Sequence, residues 1–290
     1  MKRRKRLPEW IRIHYSEGKS FQQLDQLTKE EKLNTICISG KCPNRGECWS
    51  AGHATFMILG DICTRSCKFC GTLSGKPLPP DPQEPQRLAK TIKQLGLKHC
   101  ILTSVDRDDL PDKGSSFWAG VIRKVKELNP ELTIESLIPD FSGKTEYLDN
   151  VIETAPEIIS HNLETVQRIT PLIRSAAKYD TSLKVLRYIA SRGLITKSGI
   201  MLGLGETHEE ILATMDDLLG AGCRIMTLGQ YLQPSLGHME VQEYIHPDKF
   251  NEYKEIGLRK GFDFVESGPL VRTSYKADKH IQLKKRNHES

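Results

Sequence analysis

The sequence predicts an α/β protein, a partial (β/α)6 TIM-type barrel with N- and C-terminal extensions. From residue 54 onward, six short apolar runs alternate with segments of helical pattern, which implies a parallel sheet buried on both faces. A cysteine-rich loop directly follows the first run, at the sheet edge where the reaction sites of βα proteins gather. That position favours the barrel over a flat, doubly wound sheet, which would satisfy the same alternation.

The elements of the repeat can be placed in order. Each predicted strand is rich in Ile, Val, Leu or Thr and is bounded by turn signals, and the strands cover 54–59, 100–105, 132–138, 157–162, 198–202 and 225–230. The intervening segments of helical length cover 86–95, 117–128, 182–192 and 209–219. The start of the last helix is the best marked, because Thr207 and Glu210 form a capping-box pair.

Three regions follow from this pattern. Residues 1–53 form an N-terminal extension that carries the first cysteines, residues 54–234 form the barrel core, and residues 235–290 form a C-terminal extension with a basic tail. Neither extension has the repeat of its own that an independent domain would need. We therefore expect both to pack onto the core.

Charge and hydropathy narrow the classes of partner. The net charge of +5 comes largely from the two ends, at 2–6 and 284–286, and no aromatic residues interleave with basic ones, so we expect no nucleic-acid partner. No run of 18 apolar residues and no signal core is present, which predicts a cytoplasmic protein with no membrane association. The lack of a heptad stripe favours a monomer.

Six of the eight cysteines form two tight triplets with the spacings C-x4-C-x5-C and C-x3-C-x2-C. Their members are Cys37, Cys42 and Cys48 in the first and Cys63, Cys67 and Cys70 in the second. Three thiolates on one short loop can bind three irons of a cubane and leave the fourth iron open to a small molecule. Two such triplets indicate two 4Fe–4S clusters with different roles.

Two other uses of cysteine remain open at this point. A zinc site needs four protein ligands, and His53 could complete one. A disulfide framework needs an oxidising compartment and a secretory signal. The two single cysteines, Cys100 and Cys223, lie in or next to predicted strands and are typical of small core residues.

The second triplet, with Phe69 just before its last cysteine, resembles the cluster loop of the radical S-adenosylmethionine (radical SAM) superfamily. The resemblance implies that Cys63, Cys67 and Cys70 hold a cluster whose open iron binds S-adenosylmethionine. Cleavage of that molecule would release a 5′-deoxyadenosyl radical, which abstracts hydrogen from an unactivated carbon. Such chemistry belongs to a cofactor, while the protein supplies position and shielding.

Longer motifs resemble one family within that superfamily, the lipoyl synthases. They lie at 42–49 (CPNRGECW), 54–60 (ATFMILG), 103–110 (TSVDRDDL), 138–141 (IPDF), 161–165 (HNLET), 229–234 (GQYLQP) and 268–277 (GPLVRTSYKA). The resemblance covers about residues 7–277. It implies a sulfurtransferase of lipoate biosynthesis, which inserts two sulfur atoms at C6 and C8 of a protein-bound N6-octanoyl-lysine. Its partners would be an octanoylated lipoyl-carrier protein or domain and an electron donor such as a ferredoxin or flavodoxin.

The resemblance also assigns the first triplet. In this family it holds an auxiliary 4Fe–4S cluster that is consumed as the sulfur source, and the fourth ligand is a serine in a C-terminal Arg-Ser-Ser-Tyr motif. Here the motif reads Arg272-Thr273-Ser274-Tyr275, so Ser274 is the matching ligand and Thr273 replaces the first serine. The resemblance thus gives the second triplet and Ser274 catalytic roles.

Residues after the predicted strands are candidates for binding S-adenosylmethionine. Thr103, Ser104 and Asp106 end the second strand, near the expected methionine moiety. Asn162 and Glu164 follow the fourth strand, where a ribose hydroxyl could be bound, although capping roles would explain them equally.

Two further candidates are Arg174 and Gly203. The guanidinium of Arg174 could pair with the carboxylate of S-adenosylmethionine, or form a surface salt bridge. Gly203 follows the fifth strand and could present a backbone amide, or serve only a tight turn. The charged run at 107–109 could be no more than a solvated loop.

Two other functions remain open. The chain could be another radical SAM sulfurtransferase with a different substrate. It could instead be a non-catalytic iron–sulfur electron carrier, although such a protein would normally provide four cysteines per cluster.

Overall fold

The computed structural model describes residues 6–13, 18–275 and 277, so most of the two basic ends lies outside the described residues. The chain divides into two compact units. The N-terminal unit comprises Ile13–Ser66 and Gly71–Glu157. The C-terminal unit comprises Met1–Arg12, Cys67–Cys70 and Ile158–Ser290.

The N-terminal unit begins with short elements and continues with strand–helix repeats. Its helices are α1 (Lys19–Glu30), α2 (Ile36–Ser39), α3 (Arg45–Ser50), α4 (Glu84–Leu95), α5 (Ser115–Leu128) and α6 (Thr145–Ile152), with a 3-10 turn at Phe141–Gly143. Its strands are β1 (Asn34–Thr35), β2 (Thr55–Ile58), β3 (Ile62–Cys63), β4 (Leu73–Ser74), β5 (His99–Ser104) and β6 (Thr133–Leu137).

Parallel pairing orders the strands of this unit. β2 pairs with β5 and β5 pairs with β6, both in parallel, while β1 lies antiparallel on the other edge of β2. β3 and β4 form a separate two-stranded ribbon that holds Cys63 opposite Ser74. The four residues of β2 are all buried, as a strand covered on both faces requires.

The C-terminal unit repeats the same alternation. Its strands are β7 (Ile158–Ser160), β8 (Ile195–Leu202), β9 (Ile225–Gln230) and β10 (Phe264–Gly268), and its helices are α7 (Thr170–Ile173), α8 (Tyr179–Ser191), α9 (His208–Gly220) and α10 (Pro247–Lys260). The four strands pair in parallel in chain order. The predicted capping box of α9 is present, since Thr207 and Glu210 bond each other's backbone.

Apolar side chains pack at the amino ends of the strands in this unit. Ile158, Ile195 and Ile225, at the first positions of β7, β8 and β9, pack together with Phe264 of β10. A larger core continues through β8, β9 and the helices, and Phe69 of the cluster loop packs against it. The amino ends of these strands are therefore filled with side chains, which leaves the carboxyl ends for polar residues.

All six predicted strands are present. Their bounds agree within a few residues, except that β8 begins at Ile195, three residues before the predicted start. Four of the described strands were not predicted: β1 and β10, which lie in the extensions, and β3 and β4, which form the short ribbon of the second cysteine loop. Within the described residues, no helix has the length and apolar character that crossing a membrane requires.

Candidate active site

In the N-terminal unit, Cys63 lies at the end of β3 with its sulfur facing the loop after β5. The backbone N–H groups of Asp106 and Arg65 donate to Cys63 Sγ at 3.3 and 3.4 Å. Asp106 Oδ2 lies 3.9 Å from the same sulfur. The backbone N–H of Thr64 donates to the carbonyl of Asp106 at 3.0 Å, which holds the two loops together. Backbone N–H donors of this kind stabilise a thiolate bound to iron.

Arg65, inside the second triplet, is the charged centre of this loop. Its guanidinium makes two hydrogen bonds to Asp108, at 2.7 and 3.0 Å, and two to Asp140, at 3.0 and 2.9 Å. Asp106 lies 3.2 Å away on the same group. Burial opposes the charge of Arg65, but the hydrogen bonds that it donates to Asp108 and Asp140 prevail and raise its pKa, while Arg65 lowers the pKa of Asp108.

The two predicted residues at the end of β5 have protein partners. The hydroxyl of Thr103 donates to the carbonyl of Leu137 at 3.1 Å, and Ser104 Oγ accepts from Trp118 Nε1 at 3.0 Å. These bonds give both residues a structural role in joining β5 to β6 and α5. Their predicted contacts with S-adenosylmethionine remain predictions.

The interpretation of 107–109 as a solvated loop is wrong for Arg107 and Asp108, although Asp109 is exposed. Arg107 is 2% exposed, forms a two-bond pair with Asp109 and donates to the carbonyl of Leu59 at 3.2 Å. Asp108 is bonded to Arg65. The sequence could not show this, because Leu59 and Arg65, which hold the loop in place, lie 48 and 43 residues away from their partners.

The first triplet lies on α2, the turn after it and α3. Cys37 is buried, whereas Cys42 and Cys48 are half-buried. Burial, followed by the negative charge of Cys42, raises the pKa of the Cys37 thiol, while the backbone N–H of Thr55 and the indole of Trp49 act in the opposite direction. Two members of the triplet therefore lie close enough to influence each other's charge, as two ligands of one cluster would.

In the C-terminal unit, the segment Cys67–Cys70 is held by the chain that follows β9. The backbone N–H of Met239 donates to the carbonyl of Lys68 at 2.9 Å, and the backbone N–H of Lys68 donates to the carbonyl of Ile173 at 2.7 Å. His238 Nε2 lies 2.8 Å from the carbonyl oxygen of Cys70. These main-chain bonds hold the backbone of the segment that carries Cys67 and Cys70.

Three predicted residues of this unit lie in one polar cluster. Burial raises the pKa of Glu164, against the opposing effects of the Arg174 charge and a hydrogen bond from Asn162. Arg174 Nη1 donates to the carbonyl of Leu163 at 3.2 Å and to Ser182 Oγ at 3.1 Å. Glu164 has a positive φ of 69°, a left-handed conformation, and its backbone continues the pairing beside β8. The cluster can offer a carboxylate, an amide and a guanidinium to one polar ligand.

Asn162 links this cluster to the C-terminal motif. Its Nδ2 donates to Thr273 Oγ1 at 2.9 Å, and its buried Oδ1 has no hydrogen-bond partner among the residues described. The Thr273 hydroxyl is thus engaged. For Ser274, by contrast, no side-chain hydrogen bond is found within the described ranges.

Gly203, at the end of β8, has a φ of 98°, and a Cβ there would approach Gln230 Nε2 and the carbonyl of Glu243 to 2.2 and 2.4 Å. Its N–H is bonded by the carboxylate of Glu206, which also accepts from Leu204 N at 2.9 Å. The tight-turn explanation is therefore sufficient for the glycine. Its contact with S-adenosylmethionine remains a prediction.

The thiols agree with metal binding and not with disulfides. All eight cysteines lie in the described part of the chain and none of them forms a disulfide. Cys100 and Cys223 are 0% and 2% exposed, as predicted for core residues. No three His, Cys, Asp or Glu side chains of the described residues converge as they would on a single metal ion. A cubane does not require that, because each cysteine binds a different iron.

Comparison with known proteins gives the class first. Residues 57–218 match the Radical SAM superfamily. Among solved structures, SuiB of Streptococcus suis bound to S-adenosylmethionine has a TM-score of 0.59 at 11% identity, covering 88% of this chain and 63% of that one. Methylornithine synthase (PylB) has a TM-score of 0.55 at 14% identity, covering 93% and 89%. These structures show the fold, the predicted α/β partial TIM-type barrel, and the chain is a radical SAM protein.

Close relatives give the family. The lipoyl synthase of Treponema denticola is 59% identical over 276 residues, which are 95% of both chains. That of Parabacteroides distasonis is 57% identical over 276 residues, 95% of this chain and 98% of the relative. The mitochondrial lipoyl synthase of Nematostella vectensis is 54% identical over 275 residues, 94% of both chains. The chain belongs to the lipoyl synthase family, and the predicted resemblance is confirmed.

Proposed function

We infer that this chain is a radical SAM sulfurtransferase of lipoate biosynthesis, which inserts two sulfur atoms at C6 and C8 of an octanoyl group on a lipoyl-carrier protein. The observation that carries this conclusion is the 59% identity to a curated lipoyl synthase over 95% of both chains. A likeness of that extent includes both extensions as well as the barrel core. It distinguishes this function from those of radical SAM proteins that share only the fold.

The chain's own residues fit two 4Fe–4S clusters. We propose that Cys63, Cys67 and Cys70 hold one and that Cys37, Cys42, Cys48 and Ser274 hold the other. When bound, the clusters and S-adenosylmethionine supply the hydrogen-abstracting radical and the sulfur. The N–H groups of Asp106 and Arg65 offset the charge on Cys63, and Arg65 ties the loop to the carboxylates after β5 and β6.

For S-adenosylmethionine we propose contacts from residues that follow several strands. In the C-terminal unit, the half-buried Glu164, Asn162 and Arg174 offer groups suited to a ribose and an amino acid. The unpaired Oδ1 of Asn162 supports this assignment, because a buried amide oxygen normally accepts a hydrogen bond. Thr103, Ser104, Asp106 and Gly203 complete the proposed set, with Thr103, Ser104 and Gly203 also serving the structural roles described above.

The choice of Ser274 over Thr273 leads to a testable difference. Serine oxygen is a harder ligand than thiolate, so an iron that it binds is easier to release. We expect Ser274→Cys to retain the auxiliary cluster and to slow sulfur transfer, measured as iron content and as single-turnover product formation. Thr273→Ala, which removes a hydroxyl engaged by Asn162, is the matched control and keeps both near the parent's values. Unchanged turnover in Ser274→Cys contradicts this role.

The proposal extends to the oligomeric state, the electron donor, the functional regions and the compartment. We propose a monomer that takes electrons from a ferredoxin or flavodoxin, and three functional regions at 1–53, 54–234 and 235–290. We propose the cytoplasm as its compartment, since thiols are kept reduced there. No nucleic acid takes part in this function.

The decisive experiment is anaerobic reconstitution with iron and sulfide, followed by incubation with dithionite, S-adenosylmethionine and an octanoyl-lysyl peptide. The parent should yield a lipoyl peptide by mass, whereas Cys37→Ala should release 5′-deoxyadenosine without sulfur gain. Deoxyadenosine without sulfur insertion by the parent would indicate a sulfurtransferase with another substrate. Two intact clusters with no cleavage of S-adenosylmethionine would indicate an electron carrier.

A further inference from the structure

The residue that follows the first triplet has an unused hydrogen-bond donor. Trp49 is fully buried, and its indole Nε1 has no hydrogen-bond partner among the described residues. Buried indole N–H groups usually find an acceptor, because leaving one unpaired away from water is costly. The unpaired indole N–H of Trp49 would be explained if its acceptor forms only when a group such as an iron–sulfur cluster is bound.

Packing holds the indole ring in place. The ring of Phe21, on α1, lies 5.3 Å from it, centroid to centroid, and the guanidinium of Arg45 lies 4.7 Å over its face. Arg45 is in turn 3.5 Å from Asp25. With the ring covered in this way, the direction of its N–H is fixed before any ligand binds.

A sulfur of the same triplet is the candidate acceptor. The Trp49 indole, the backbone N–H of Thr55 and the Cys42 thiol all influence the pKa of the Cys37 thiol, which indicates that the indole lies near this sulfur. A neutral thiol is a weak acceptor, whereas a thiolate bound to iron carries charge and accepts strongly. The same N–H that is unpaired beside a thiol is therefore suited to a cluster ligand.

We propose that Trp49 is a positioning residue of the auxiliary centre, whose Nε1–H donates a hydrogen bond to the Cys37 sulfur once that sulfur binds iron. This inference rests on the proposed function. Hydrogen bonds to cluster sulfurs set the reduction potential. A donor favours the more negative, reduced state, so Trp49 raises the potential of the cluster that supplies sulfur.

The test uses the full chain with Cys63, Cys67 and Cys70 replaced by Ala, so that only the auxiliary centre gives a signal. Trp49→Phe keeps the buried ring and removes the N–H. Its potential in an EPR-monitored redox titration should fall by about 59 mV, which corresponds to a tenfold change in a one-electron equilibrium. Trp118→Phe is the matched control, a buried indole whose N–H already bonds Ser104, and it should leave the potential unchanged.

A second measurement does not depend on folding of the Trp49 variant. In the same chain labelled with ¹⁵N-indole tryptophan, pulsed EPR of the reduced cluster should show a ¹⁵N coupling that persists in Trp118→Phe. An assembled cluster without that coupling, or with the same potential in Trp49→Phe, overturns the role of Trp49 alone. A parent that assembles no cluster on the first triplet overturns the proposed function as well.

Discussion

At the scale of single residues, Arg65 anchors the second cysteine loop through ion pairs. Its side chain is 7% exposed and contacts three carboxylates, of which Asp140 is only 4% exposed. A buried ion pair is weak evidence of net stability, but removing one partner leaves a charge stranded in a region of low dielectric. The loop that presents Cys63 is therefore sensitive to this one guanidinium.

We expect Arg65→Met to lower the free energy of unfolding by about 3–5 kcal/mol, because Asp140 then lacks its cation. The measurement is denaturant unfolding of the cluster-free chain under anaerobic conditions. Arg168→Met is the matched control, since Arg168 pairs with Glu210 through a similar fork but at the surface. Equal unfolding midpoints for the two variants contradict the special role of Arg65.

At the scale of elements, the end of β9 and the turn after β10 approach closely. Gly229 of β9 pairs with Gly268 of β10, and the backbone N–H of Gln230 donates to the carbonyl of Pro269 at 3.2 Å. A Cβ on Gly229 would lie 2.1 Å from the carbonyl oxygen of Val271. The glycine thus lets the turn that carries Thr273 and Ser274 lie against the sheet.

Gly229→Ala is expected to displace that turn, with an overpacking cost of about 1–3 kcal/mol. Because the turn carries the proposed serine ligand, the auxiliary cluster should also assemble poorly, measured as iron per chain after reconstitution. Gly220→Ala in α9, where an added Cβ meets nothing within 4 Å, is the control and should be neutral or slightly stabilising. Full cluster content in Gly229→Ala argues against the need for this close approach.

Helix α4 supports the turn after β2 through a buried acid. Glu84, in its first turn, is 5% exposed and accepts from the backbone N–H of Leu59 at 3.0 Å. Leu59 has a positive φ of 68°, so this bond holds a strained conformation. Burial raises the pKa of Glu84 from its ordinary 4.5 to about 7.

The raised pKa predicts a pH dependence of stability. The folded chain holds the Glu84 proton more tightly than the unfolded chain, so this contribution is complete below about pH 4.5 and is lost as pH rises through 7. The difference of about 2.5 units corresponds to at most about 3 kcal/mol. Glu84→Gln should therefore be more stable than the parent at pH 8 and similar to it at pH 5. Thermal unfolding across this range measures the effect, and Glu127→Gln, at an exposed position, should follow the parent.

At the scale of the whole molecule, the two proposed cluster sites depend on different parts of the chain. The first triplet comprises Cys37, Cys42 and Cys48 and the second comprises Cys63, Cys67 and Cys70, so the two proposed clusters share no ligand. Separate ligand sets predict that one cluster can be lost without the other. This separation suits a protein in which one cluster is spent and the other is kept.

The reconstituted parent should contain about eight iron atoms, and each triple Cys→Ala variant about four. Iron and sulfide analysis with Mössbauer spectroscopy measures this directly. The variant Cys100→Ala/Cys223→Ala is the control and should retain full iron, since both thiols are buried in the core. Loss of both clusters in either triple variant would show that the two sites assemble together.

The sequence predicted what depends on local pattern. The apolar runs of the strands and the spacing of the cysteines each extend over only a few residues, and both could be identified from the sequence. The start of β8 could not, because Lys197 interrupts the apolar run and yet is fully buried. The extra strand β10 was missed because its sequence mixes Glu266 with a terminal Ser-Gly and lies outside the repeat.

The missed site residues share one cause. Arg65 pairs with carboxylates 43 and 75 residues away, and Glu84 bonds a turn 25 residues back. Their residue types are ordinary, and only three-dimensional proximity gives them a role. The signal that the sequence did offer was the position of Arg65 between two cysteines of the second triplet. The cysteine spacing alone assigns no role to such a residue.

The eight cysteines comprise two single core residues and the six members of the two triplets. The two core residues can therefore serve as an internal reference for chemical labelling. Cys100 and Cys223 are inaccessible to alkylating reagents while the fold is intact, and burial raises the pKa of Cys223 to about 12. In a pulse-labelling mass spectrum, their peptides therefore report unfolding, and the six cysteines of the two triplets report cluster loss. Damage by oxygen can thus be read cysteine by cysteine, with the two core thiols as the internal reference.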